Sequence, residues 1–266
     1  STVAVIDWLN ERVRAFSNRT DNLEVKAYWA SGSTGMTGKS YLGTLATAAA
    51  STGVEGLRTI VPQAAISNWY EYYRCNGLNV PALGWQGDDA DLLAQYCMSR
   101  ISEPDDFEKV RDRWEESFEK IRSQQDRERG SYNRFWDERN YLNSSGDIKA
   151  SVFIEHGLRD WNVKPKQFDM LWKELEKHDV PRKMILHQGD HIYINGMSGI
   201  DYNDIMNKWY GYWLHDIEND IMEAYPEVII QSNIDTSIWE GSSSWPFEGT
   251  EDKLYYVDRE GRLSDF

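Results

Sequence analysis

The chain has 266 residues, 40% of them hydrophobic, with 12 Trp and 15 Tyr, enough apolar mass for one substantial core and a smaller appended unit, which excludes a disordered chain. A formal net charge of −15 excludes the clustered Lys and Arg that grip a phosphate backbone, so no nucleic acid partner is expected, whereas an acidic cleft would attract a peptide N-terminus. No apolar run approaches the roughly 20 residues that cross a bilayer, no signal peptide opens the chain, and Cys75 and Cys97 lack CxxC spacing, so a cytoplasmic location with no membrane partner is expected.

In chain order, Val5, Ile6, Leu9, Val13 and Phe16 recur at helical spacing and predict a helix over residues 3–16. Residues 24–30 (EVKAYWA) read as a strand that runs into the glycine-punctuated SGSTGMTGKS. Residues 41–50 read as a helix stopped by Gly53, and residues 57–65 as a buried parallel strand. The texture then changes from about residue 69 to 143. This stretch is too long for a connection between elements and reads as a helical cap insertion, placed at 77–146. Within it Phe107, Val110, Trp114, Phe118 and Ile121 mark an amphipathic helix.

Residues 151–156 (SVFIEH) return to strand character. A helix after Pro165 carries Phe168, Leu171, Trp172 and Leu175 at positions i, i+3, i+4 and i+7, followed by a strand over 183–187 and an aromatic-rich helix near 205–213. Strands alternating with helices predict an α/β fold with a mostly parallel sheet, assigned to residues 1–222. The strand-like EVIIQS and KLYYV after Pro226 read as the start of a C-terminal β domain over 223–266.

The chemistry begins at Gly38-Lys39-Ser40-Tyr41-Leu42-Gly43, between a predicted strand and a predicted helix. A serine on so tight a turn needs small neighbours, as in the G-x-S-x-G nucleophile elbow, although here the second glycine comes one residue late. The alternative is a serine that merely caps the helix. Asp160 follows the next strand but one in EHGLRDWNV, and His191 ends HQGDH after the strand beyond it. Functional groups gather at the carboxyl ends of parallel strands, and the order Ser, Asp, His is that of an α/β-hydrolase triad. In that scheme the backbone N–H of Tyr41 supplies half of an oxyanion hole. Asp190, next to His191, is the rival partner for the imidazole, and no metal or cofactor is expected.

The segments GKSYLGTLA, TGVEGLRTIVPQAAISNWYEYYR, YNRFWDERNYL, HGLRDWNVKP and HQGDHIYIN resemble the bacterial Xaa-Pro dipeptidyl-peptidases, α/β-hydrolase serine peptidases related to cocaine esterase. The resemblance implies release of dipeptides with proline second from peptide N-termini, with Ser40 as nucleophile, Asp160 as acid and His191 as base. It places Trp69 and Tyr72 at a proline pocket, Asn162 and Val163 beside the substrate, and Asp88 or Asp89 near the substrate amine. A homodimer is expected for the full-length protein. In an α/β-hydrolase several strands precede the nucleophile, so the chain is expected to be a fragment that lacks the upstream half of the sheet. The alternatives are an esterase or acylase of the same superfamily, or a non-catalytic fragment.

Overall fold

A computed structural model describes residues 2–75, 77–80, 89–98 and 107–265. Helix α1 (Thr2–Leu9) stops short of the predicted residue 16, because the chain reverses at Glu11, whose φ is 58°. Ala15–Phe16 (β1) and Glu24–Val25 (β2) then form a two-residue antiparallel pair, all that remains of the strand expected over 24–30. The strand that delivers Ser40 is β3 (Thr34–Lys39), which lies in the glycine-punctuated segment after the strand expected at 24–30. Glycine weakens a strand through entropy. Pairing overrides that preference here: β3 runs parallel to β4 (Leu57–Gln63), with Met36 opposite Ile60 and Lys39 opposite Gln63.

Helix α2 (Tyr41–Ala50) follows β3 at once and has the predicted bounds. Between β4 and β7 (Ser151–Gly157) the described residues form α3 (Trp69–Tyr73), the hairpin of β5 (Arg74–Cys75) and β6 (Leu78–Asn79), α4 (Ala90–Met98), α5 (Arg111–Gln124) and α6 (Arg134–Asp137), of which α3 and β5 precede the insertion expected over 77–146. The predicted apolar stripe of α5 buries none of its residues fully; Trp114 stacks on Phe118, and Ile121 packs at the edge of the insertion's core. That core joins Trp69, Tyr72, Tyr73, Phe135 and Trp136 to Ile66 and Val163 of the sheet side.

The alternating region resumes with β7 (Ser151–Gly157), α7 (Lys166–Lys177), β8 (Arg182–His187) and α8 (Tyr202–His215). Two further strands, β9 (Val228–Gln231) and β10 (Trp239–Ser242), complete the main sheet, whose order among the described residues is β10-β9-β8-β7-β4-β3. Every neighbouring pair is parallel except β9 with β10. The β domain expected to start at residue 223 therefore does not start there. Val228 sits opposite Met184 with both side chains fully buried, so the apolar VII run finds its partner in β8. Among the described residues after 223, the small antiparallel pair Tyr256–Val257 (β11) and Leu263–Ser264 (β12) lies outside that sheet.

Successive strand residues face opposite sides, and both sides are covered. Ile60, Val152 and Met184 meet α2 and α7, whereas Val61, Phe153 and Ile185 meet α8. This double burial is why the central strands read as continuous apolar runs rather than alternating ones. Helix α7 presents the predicted face of Phe168, Leu171, Trp172 and Leu175, and truncating the fully buried Leu175 to Ala should cost about 2–5 kcal/mol.

Candidate active site

At the β3–α2 junction Ser40 takes φ 62° and ψ −126°, in the left-handed half of the map where a side chain is strained. Its hydroxyl makes no cap hydrogen bond to the helix, so the helix-cap alternative fails. Backbone bonds hold the turn instead: Ser40 N–H donates to Gln63 O at 2.8 Å, and Ser40 O accepts from Thr44 N–H at 2.9 Å. The small neighbours have direct reasons. A Cβ on Gly38 would lie 2.5 Å from Leu42 Cβ, and one on Gly43 would lie 2.5 Å from Gly38 O. Gly43, one position later than the usual pattern, is thus where α2 crosses closest to the strand. Tyr41 opens α2, and the first N–H groups of a helix have no intrahelical acceptor, so its amide is available beside Ser40.

Asp160 and His191 are brought together by the ends of β7 and β8. Leu158 N–H donates to His187 O at 2.8 Å and Arg159 N–H to Gly189 O at 3.1 Å, which zips the two loops. Gly157 permits it, since a Cβ there would lie 2.3 Å from Asp190 O. His191 Nδ1 then donates to Asp160 Oδ2 at 2.6 Å, with the Asp160 side chain 0% exposed and the imidazole 21% exposed. Asp160 Oδ1 accepts the N–H groups of Asn162 and Val163, both at 2.9 Å. The carboxylate is therefore fixed by three donors, and Nε2 is left free to accept a proton. Asp190 is exposed and lends only its backbone carbonyl to Ile192, so it is not the ring's partner.

Two more histidines support the loops. Burial pushes both His156 and His187 down to about 4, so they are neutral near pH 7. His156 Nε2 bonds Val163 O at 2.7 Å, pinning the far end of the Asp160 turn. His187 Nδ1 accepts Gly189 N–H at 3.1 Å. Its place inside the strand run predicts a structural role for His187; for His156 the sequence offers only the pair Glu155-His156, and two ligands without further clustering do not make a metal site. Among the described residues no group of three His, Cys, Asp or Glu side chains could hold a metal ion.

Of the residues expected around a proline ring, Trp69 and Tyr72 are buried in edge-to-face contact, with centroids 5.8 Å apart. Trp69 also meets Tyr41 and donates its indole N–H to Tyr141. Tyr72 donates to Asn162 Oδ1 at 2.5 Å, which links the aromatic cluster to the Asp160 turn, and Val163 packs in the same cluster. Exposed Tyr41, at the start of α2, follows Ser40, and exposed Trp161 and Tyr193 lie on the loops that carry Asp160 and His191. Asp88 lies outside the described residues. Asp89 is 1% exposed and pairs bidentately with the buried Arg74, at 3.0 and 2.9 Å, so it is occupied as the anchor of the cap and is not presented to a substrate amine.

Residues 1–193 match the X-Pro dipeptidyl-peptidase (S15 family). The chain belongs to that family. It is 46% identical over 254 residues to the Xaa-Pro dipeptidyl-peptidase of Lactiplantibacillus plantarum, covering 96% of this chain and 31% of that protein. It is 47% identical over 245 residues to the Xaa-Pro dipeptidyl-peptidase of Pediococcus pentosaceus, covering 92% and 30%. The chain thus spans less than a third of the length of these curated relatives. Among solved structures it is similar to a CocE/NonD family hydrolase from Staphylococcus aureus, with a TM-score of 0.68 at 14% identity over 100% of this chain and 42% of that one. An α-amino acid ester hydrolase is similar with a TM-score of 0.58 at 17% identity, covering 98% and 45%. The fold is that of the α/β-hydrolases.

Proposed function

We propose that the chain carries the catalytic centre of a serine dipeptidyl-peptidase that releases Xaa-Pro dipeptides from peptide N-termini through an acyl-enzyme. The observation that carries this reading is the 2.6 Å bond from His191 Nδ1 to buried Asp160, on zipped loops that Lys39, the neighbour of Ser40, meets at the His191 carbonyl at 3.2 Å. His191 Nε2 takes the Ser40 proton as Oγ attacks the carbonyl, and Asp160 fixes the tautomer and stabilises the imidazolium. The Tyr41 N–H stabilises the developing oxyanion. His191 then gives its proton to the departing amine, and a water activated in the same way frees the dipeptide. Trp69, Tyr72, Asn162 and Val163 form the flat, mostly apolar wall against which a pyrrolidine ring packs. In the same reading the native-length protein is a cytoplasmic homodimer.

The test uses the protein at its native length. Fluorophosphonate should label Ser40, Ala-Pro anilide should be cleaved far faster than Ala-Ala anilide, and Ser40→Ala should lose labelling and several orders of magnitude of turnover. A folded Ser40→Ala protein that keeps most of its activity would overturn the triad; equal rates on the two anilides would move the function to an esterase or acylase.

A further inference from the structure

The loop that carries His191 runs from the end of β8 to the start of α8, residues 188–201, with no helix or strand of its own. Its first residue is tied to the neighbouring strand: Gln188 N–H donates to Gln231 Oε1 and Gln188 Nε2 to Gln231 O, both at 2.8 Å. Three residues on, at His191, the loop meets a different anchor. Lys39, the last residue of β3 and the immediate neighbour of Ser40, reaches across the site and donates from Nζ to the backbone carbonyl of His191 at 3.2 Å. The same ammonium lies 4.6 Å from the centroid of the Tyr193 ring. One half-buried cation therefore grips the loop on both sides of Ile192, from a backbone position that the strained turn at Ser40 also dictates.

We propose that Lys39 is a positioning residue, whose ammonium holds the His191 loop in register over Ser40. The proposal rests on the triad reading above and goes beyond it, because neither G-x-S-x-G geometry nor the triad requires a cation at this position. The carbonyl it grips is that of the imidazole's own residue, so loss of the bond frees the ring to shift relative to Oγ. A misplacement of about 1 Å at such a site costs on the order of 10²-fold in rate.

Three variants of the native-length protein test this, each compared by kcat and KM for Ala-Pro anilide and by the rate of fluorophosphonate labelling. Lys39→Met should lower kcat and labelling together by on the order of 10²-fold with KM little changed. Lys39→Arg keeps charge and donors and should restore both. Lys39→Gln keeps an N–H donor on a shorter side chain; it should retain more turnover than Lys39→Met but less than Lys39→Arg, and it serves as the test if Lys39→Met fails to fold. Wild-type turnover and labelling in Lys39→Met, or a Lys39→Arg protein as impaired as Lys39→Gln, would overturn the proposal. Ser40→Ala separates the two levels: if it is inactive while Lys39→Met is unimpaired, the triad stands and only the role of Lys39 falls.

Discussion

Two aspartates, Asp160 and Asp190, precede His191 as candidate partners for its imidazole, and at the residue scale burial separates them. Asp160 is fully enclosed and accepts three N–H groups, whereas Asp190 faces solvent. Asp160→Asn should therefore lower turnover by on the order of 10⁴-fold by favouring the wrong imidazole tautomer, with Asp190→Asn near wild type, measured as kcat at neutral pH. A third carboxyl, Glu155, has no role that the sequence assigns. It lies in the middle of the sheet, accepts the Tyr202 hydroxyl, and burial raises it to about 8. An unfolded glutamate releases its proton near about 4.3. The stability contributed by the neutral acid is thus complete below that value and is lost as pH rises through about 8. A glutamine cannot ionise, so the melting temperature of Glu155→Gln should gain on wild type from about pH 5 to about pH 9. A difference that stays constant across this range would mean that Glu155 does not hold the proton.

At the scale of elements, the site depends on how closely loops approach one another. Gly157 ends β7 where the HQGDH loop crosses it, and Gly157→Ala would drive a Cβ into the carbonyls of Gly189 and Asp190. The expected outcome is a folded protein destabilised by about 1–3 kcal/mol, with Ser40 labelling slowed on the order of 10²-fold as His191 is displaced. Unchanged labelling would show that the loop can move without carrying the imidazole. The cap offers a contrasting element. Arg74 is wedged between Asp89 and the Trp136 ring, 4.8 Å from its centroid, with Gln125 O also accepting from the guanidinium. Asp89→Asn leaves a buried cation uncompensated and should cost about 3–5 kcal/mol in chemical denaturation. An intact cap with only a raised KM would instead return Asp89 to the substrate amine.

For the molecule as a whole, the net charge of −15 leaves an excess of carboxylates over the 29 Lys and Arg, and that excess is self-repelling. Screening shortens the reach of that repulsion to about 10 Å at about 0.1 M salt. The melting temperature of the chain should accordingly rise as sodium chloride is raised from about 0.01 M to about 0.3 M, with the steepest gain at the dilute end. A fall over this range would assign more weight to local ion pairs such as Arg58–Asp216 and Lys208–Asp220 than to the overall charge.

What the sequence determined by itself was whatever depends on local pattern. The helical spacing of Phe168 to Leu175, the continuous apolar runs of β4, β7 and β8, and the order Ser40, Asp160, His191 are all written along the chain, and with them the α/β class and the triad proposed here. Tertiary structure decided where local preference and pairing disagree. Thr34–Lys39 became a strand despite two glycines because β4 offered a complete parallel partner, and Val228–Gln231 joined the main sheet because β8 had an open edge. It also decided which charges are spent internally. Asp89 on Arg74 and Lys39 on the His191 carbonyl are contacts between residues 15 and 152 positions apart, set by packing that no local pattern encodes.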